Sequence, residues 1–270
     1  LFHMIELMRL QVACQGAGIA LRSAQLARRY AGERRQGGPP GAPPAVISNH
    51  PDVERQLGRL DAQAAILTAL VVETAVTLQQ ARDGNTGAAA YAAFLLPLAK
   101  TFAGEIAFEA ASGAIQVMGG AGYTREWPAE RYLRDARILT IYEGTTGMQA
   151  QDFLFRRLIR DNGAGIEAFM TKARLQLEQD GSSSESRAVA ETLDQFAALS
   201  GYIATWTEKE QQAAADGYLR AGWSAVSGFL GWRLHARGGA LSPAGRHWLE
   251  TAAARFDLAK LTIEAAKRAP

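Results

Sequence analysis

Apolar residues recur along the first 35 positions at steps that suit one face of a helix: Ile5, Met8, Val12, Ile19 and Leu26. The spacing predicts one long helix over residues 2–35. Gly16 and Gly18 lower its intrinsic stability, but small residues let a neighbouring helix approach closely. The run GGPPGAPP at residues 37–44 must be a loop, because proline lacks the N–H a helix needs. A second helix is expected to start at Asn49-His50-Pro51-Asp52 and to run to about residue 82. Asn49 or His50 would cap it, Pro51 suits the first helical position, and Asp52 suits the positive helix end. Asp83-Gly84-Asn85-Thr86-Gly87 is a break. The third helix should span residues 88–118, with Pro97 kinking it or marking its true start.

Residues 119–142 read as an irregular connection with a short helical turn near residues 128–133. Glu143 then opens a fourth helix that reaches about residue 160. Four helices with these connections make a bundle. Beyond it, Asp161-Asn162-Gly163-Ala164-Gly165 and Ser182-Ser183-Ser184 break the chain. Three further helices are expected at residues 186–213, 215–237 and 243–267. Leu193, Phe196, Leu199 and Ile203 stripe the first of them. The predicted fold is all-α: a four-helix bundle over residues 1–160, followed by a smaller helical extension over residues 161–270. Strand-like alternation is scarce.

Composition narrows the function classes. The chain has 270 residues and a net charge of only +2, with 29 basic and 27 acidic residues interspersed. That balance argues against a nucleic-acid surface. The single cysteine, Cys14, cannot form an internal disulfide or a cysteine metal cluster, and it fits a reducing, cytoplasmic setting. The four histidines share no spacing suited to a metal, so no metal site is expected. No apolar run was found to approach the roughly 20 residues that span a membrane, so no span is expected. The chain opens on Leu1 rather than methionine, in mid-pattern, and is expected to be the C-terminal portion of a longer protein.

The chemistry concentrates in residues 116–149. A carboxylate, Glu143, sits in the turn Ile-Tyr-Glu-Gly-Thr, where glycine permits close approach to a substrate. Upstream, Gly119, Gly120 and Gly122 form a bend whose backbone N–H groups can reach an anion. Together they suggest a proton-abstracting base beside a phosphate-bearing cofactor. Each residue also has a plainer reading. Glu143 could stabilise a helix N-terminus, the glycines could be a helix C-cap, and Arg34 and Arg35 could be a solvated helix end. Arg9 could pair with Glu6, three residues back on the same helix face.

The ordered motifs Gln-x-x-Gly-Gly-x-Gly-Tyr, Pro-x-Glu-Arg-Tyr, Arg-Asp-Ala-Arg and Ile-Tyr-Glu-Gly-Thr resemble the acyl-CoA dehydrogenase family. These flavoproteins remove two hydrogens from an acyl-CoA thioester. The resemblance implies that Glu143 is the catalytic base, FAD the cofactor, acyl-CoA the substrate and an electron-transfer flavoprotein the acceptor. It implies FAD contacts at Arg34, Gln36, Gln116 and Gly120 across a homodimer or homotetramer interface, and at Thr145 within a subunit. It places Arg9 and Gly144 at the substrate. Gly37 stands where the family usually has an aromatic residue. The loop before His50-Pro51-Asp52-Val53, the Thr-Gly-Met-Gln-Ala run and the C-terminal extension resemble a subgroup that includes methylmercaptopropionyl-CoA dehydrogenase. The family also builds its flavin pocket from a middle domain, so this chain by itself is expected to be inactive. Two other readings compete: a non-catalytic helical oligomerisation module, and a DNA-associated flavoprotein relative. The intact Glu143 turn and the balanced charge argue against them in that order.

Overall fold

Small residues set how closely the first three helices pack. A computed structural model describes residues 2–38, 40–179 and 183–268. Helix α1 (Phe2–Glu33) meets α3 (Thr86–Met118) at Gly16, where an added Cβ would lie 2.4 Å from the carbonyl oxygen of Ala103. Gly16 is therefore required by backbone approach, whereas Gly18 faces open space. Helix α2 (Pro51–Arg82) begins with Pro51 as expected, but His50 does not cap it through its side chain. Instead the His50 ring Nε2 bonds the carbonyl of Gln36 at 2.7 Å. With the backbone bonds Gln36 N to Ala45 O and Ile47 N to Arg34 O, it ties down the described part of the proline-rich loop. Asn85 caps α3 by accepting from the Ala88 N–H at 3.0 Å. Pro97 lies buried inside α3 and is not its start.

The connection after α3 holds a 3₁₀ turn (Gly119–Tyr123) and a longer helix than expected, α4 (Ala129–Ile138). Glu143 does not open a helix. The next one, α5 (Thr146–Gln151), begins three residues later and then widens into a π-helix (Asp152–Arg160). π-helical turns are rare and cluster at functional sites.

Helix α6 (Ala164–Gln179) was not anticipated, because the glycines around it read as a break. After it come α7 (Ser184–Ala204), α8 (Glu208–Arg237), α9 (Ser242–Leu249) and α10 (Ala252–Arg268). Their bounds replace the three expected helices; a capping box at Thr207 and Glu210 starts α8, so the expected junction near residue 214 falls inside a helix. Ser182 of the predicted serine break lies outside the described residues. Among the described residues the only β pairing is one isolated antiparallel bridge, Arg35 to Val46.

One hydrophobic core runs from α1 through α10, including Ala13, Phe94, Phe153, Phe169, Tyr218 and Ile263. An ion cluster clamps the extension to the bundle. Glu73 on α2 pairs with Lys172 on α6 at 2.5 Å and with Arg233 on α8 at 2.9 Å. Burial pushes the Glu73 carboxyl up, but the two cations outweigh it and hold it below the usual range. Contrary to the expectation from hydropathy, α2 and the helical stretch Thr86–Tyr123 are long and apolar enough to cross a membrane. Of their apolar windows 61% and 83% are buried inside the fold, so protein rather than lipid covers most of each.

Candidate active site

Glu143 sits at φ +58° and Gly144 at φ +94°, two consecutive residues in left-handed backbone. A non-glycine residue there costs on the order of 1 kcal/mol or more, so surrounding contacts must hold it. They do so at four points. The Tyr142 hydroxyl donates to Gln15 on α1 at 2.8 Å. The Gln149 side-chain amide donates to the Glu143 carbonyl at 3.1 Å. Lys100 on α3 donates its ammonium to the Gly144 carbonyl. Thr146 donates to Glu105 on α3 at 3.1 Å. A Cβ at Gly144 would meet Gln149 Nε2 at 2.8 Å and push that amide away from the Glu143 carbonyl, in addition to the strain of φ +94°. The Glu143 N–H makes no hydrogen bond among the described residues, so it remains available as a donor.

Lys100 was missed at the sequence level. It is wholly buried, and burial together with the nearby Arg9 charge pulls its pKa from 10.5 down to about 8, against the opposing pull of Glu143 and Glu105. A lone cation in the apolar run LPLAKTFAGEIA was the available signal.

The half-buried Glu143 opens onto a cleft of about 360 Å³ that Arg9, Gly144, Asp152, Phe155 and Arg160 also line. Arg9 therefore joins the Glu143 site. Its partner is Asp152 in the π-helix, at 2.6 Å, rather than the sequence neighbour Glu6 considered for it. Arg156 and Arg157 approach the same carboxylate at 3.4 and 3.5 Å. Thr145 is exposed at the cap position of α5, and its side chain makes no cap hydrogen bond.

The remaining candidates lie at the other end of the bundle. Leu26 of α1, Met118 of α3 and Ala129 of α4 pack together there, with Trp127 edge-on to Tyr30 at 5.4 Å. Arg34 and Gln36 follow α1, and Gln116 and Gly120 sit at the end of α3; all four are exposed. Arg34 pairs with no carboxylate among the described residues. Gly119 adopts φ +61° at the α3 C-cap, so the plainer reading of that glycine holds. A Cβ on Gly120 would meet nothing within 4 Å, leaving an open surface. A free guanidinium, two amide side chains and a bare glycine surface suit a phosphate group. Gln116 also lines a cleft of about 550 Å³ between α2 and α3. Lys100 and Gln116 are 16 residues apart on one helix, so the two groups are separated by about 24 Å along its axis. Among the described residues no three His, Cys, Asp or Glu side chains gather as a metal site.

Comparison with known proteins identifies the lineage of these motifs. Residues 2–158 match the family model described as acyl-CoA dehydrogenase, C-terminal domain. The chain is 37% identical over 244 residues to 3-methylmercaptopropionyl-CoA dehydrogenase of Ruegeria pomeroyi, covering 83% of this chain and 42% of that protein. This similarity extends past the family model into the extension, in keeping with the subgroup resemblance. The fold matches Caenorhabditis elegans ACDH-11, solved with C11-CoA, at a TM-score of 0.80 and 23% identity, over 92% of this chain and 43% of that one. It also matches a Bacillus anthracis acyl-CoA dehydrogenase solved with FAD, at a TM-score of 0.76 and 19% identity, over 99% and 50%. The chain thus spans about two-fifths of the curated relative it matches. The motif order, the all-helical architecture and the match across more than half its length make this chain a member of the acyl-CoA dehydrogenase family.

Proposed function

We propose that this chain works as the C-terminal portion of an FAD-dependent acyl-CoA dehydrogenase, with Glu143 as the base that removes the substrate's α proton. The observation that carries the reading is the Glu143 turn: a carboxylate in left-handed backbone, held by Lys100, Gln149 and Glu105 at the mouth of a cleft. Such pinning fixes the backbone that carries the carboxylate, which favours the steady placement a general base requires. The α C–H bond breaks toward a Glu143 carboxylate oxygen, the β hydride departs, and a C=C bond forms between the two carbons. Bound FAD supplies the acceptor for that hydride. The free N–H of Glu143 donates to the thioester oxygen as negative charge develops there. Arg9 and Gly144 line the cleft that would take the acyl-CoA, and Thr145 would contact the flavin within the subunit.

At the other end, Arg34, Gln36, Gln116 and Gly120 would hold the FAD pyrophosphate of a second copy in a homodimer or homotetramer. The separation of about 24 Å supports this division, because the two groups then need not serve one flavin. Residues 1–160 carry the site and residues 161–270 act as an extension that backs it. The remaining partners are an electron-transfer flavoprotein or similar acceptor, with no nucleic acid, in the cytoplasm.

The test is Glu143→Gln in the full-length enzyme. FAD should stay bound while turnover falls by about two or more orders of magnitude, the scale of a positioned base. Near-normal acyl-CoA oxidation by that variant would reject Glu143.

A further inference from the structure

We propose that Arg220 and Glu105 are positioning residues through which the C-terminal extension holds the catalytic turn. The inference rests on the reading of Glu143 as base. Glu105 faces both ways from α3. Its Oε1 accepts from Thr146, the first residue of α5, at 3.1 Å. The same carboxylate accepts from Arg220 on α8 at 3.1 and 3.4 Å, a two-pronged contact. Arg220 is itself oriented by Asp216, one turn back, at 2.9 Å, and its guanidinium lies 6.0 Å over the Phe102 ring of α3. A second strap runs in parallel, with the Gln151 amide at the end of α5 donating to the Gln212 carbonyl of α8 at 3.3 Å. The six residues of α5 open a helical segment that continues as the π-helix, so these contacts act on the part of it next to Glu143. Both ends of α5 are thus attached, directly or through Glu105, to one 30-residue helix of the extension.

Half-buried and still reached by solvent, this ion pair adds only modestly to global stability. Its consequence is geometric: Thr146 lies three residues from Glu143, and displacements of about 1 Å at a base cost up to about 100-fold in rate. The role of the extension is therefore to fix the base in place, while substrate affinity is set elsewhere in the cleft.

The experiment compares Arg220→Gln, Glu105→Gln, their double variant, Arg220→Lys and Asp216→Asn in the full-length flavin-loaded enzyme. Arg220→Gln should lower kcat about tenfold with KM for acyl-CoA within about twofold. The double variant should be no worse than the poorer single, because both break one link. Arg220→Lys should restore part of the loss, and Asp216→Asn, which weakens the contact that orients Arg220, should lose less than Arg220→Gln. In parallel, amide hydrogen exchange on the flavin-free full-length protein should quicken across residues 143–151 in Arg220→Gln and less so in Asp216→Asn. Unchanged exchange there, unchanged kcat, or additive losses in the double variant would overturn the proposal. A Glu143→Gln enzyme that keeps its turnover would instead reject the base, while the exchange data would still decide whether the link exists.

Discussion

The two groups of candidate residues differ in how complete they are. At the Glu143 end, Tyr142, Glu143, Gly144 and Thr146 are each held by a side chain of the same chain, and the backbone is forced into a left-handed turn. At the far end, Arg34, Gln36, Gln116 and Gly120 are exposed, and Arg34 has no carboxylate partner among the described residues. One end is built to hold its own residue still. The other presents anion donors that nothing among the described residues consumes. A side chain that must act with angular precision needs internal support, whereas a phosphate clamp can be assembled by docking.

The largest effect that could break this contrast is activity in the chain by itself. Mixed with FAD, an acyl-CoA series and an electron acceptor, the purified 270-residue chain should fold as a helical protein and show no turnover. A base without an oriented flavin leaves the hydride no destination. Robust acceptor reduction would show that the clamp end needs nothing further.

A pair of substitutions in the full-length enzyme sharpens it. Gly144→Ala introduces a Cβ at φ +94°, 2.8 Å from Gln149 Nε2, and should lower kcat by about tenfold or more while FAD affinity holds. Arg34→Ala should do the reverse. It should raise the FAD Kd about tenfold, the value of one charge-assisted hydrogen bond, with turnover per bound flavin within about twofold. Titration of FAD fluorescence together with steady-state kinetics separates the two. If both variants lose affinity and rate in equal measure, the ends are not distinct.

Much of the scaffold was legible because it obeys local rules. Pro51 starts α2, Asn85 caps α3, and Gly119 ends α3 in left-handed backbone, all positions that short-range chemistry dictates. Of the two readings of Pro97 only the helix start fails: it lies inside α3, where the tertiary packing that buries it outweighs its cost. The tight turn at Glu143 was legible from its glycine motif. Its supports were not: Lys100 lies 44 residues from Gly144, and Arg9 lies 143 from Asp152. No periodicity encodes such pairs, and a helical lysine reads as solvated until the neighbouring helices bury it. The π-helix was hidden for a similar reason, since its residues have an ordinary helical pattern.

Stability offers a separate handle on the Glu143 end, through a pH dependence. Lys100 has its folded pKa near 8 against 10.5 when free. Between those values the unfolded chain keeps a proton that the folded chain has released, so stability from this group rises with pH through that window. The gain should be on the order of 3 kcal/mol at most between pH 8 and 10.5. Urea unfolding of the parent against Lys100→Met isolates it, because the variant should lose this slope. Parallel curves for the two proteins would contradict the buried, half-neutralised lysine.

Mixed oligomers offer the most direct measurement of the central claim. Glu143→Gln and Arg34→Ala full-length subunits, each nearly inactive at limiting FAD, are unfolded and refolded together at equal amounts. If Arg34 serves the flavin of the partner, each mixed pair contains one site with both defects and one site with neither. Random pairing then restores about a quarter of the parent activity in a two-fold dimer. Activity that stays at the level of the separate variants would mean that both residues serve the same subunit's flavin, contradicting the division of the molecule into a self-held base and a clamp offered to its partner.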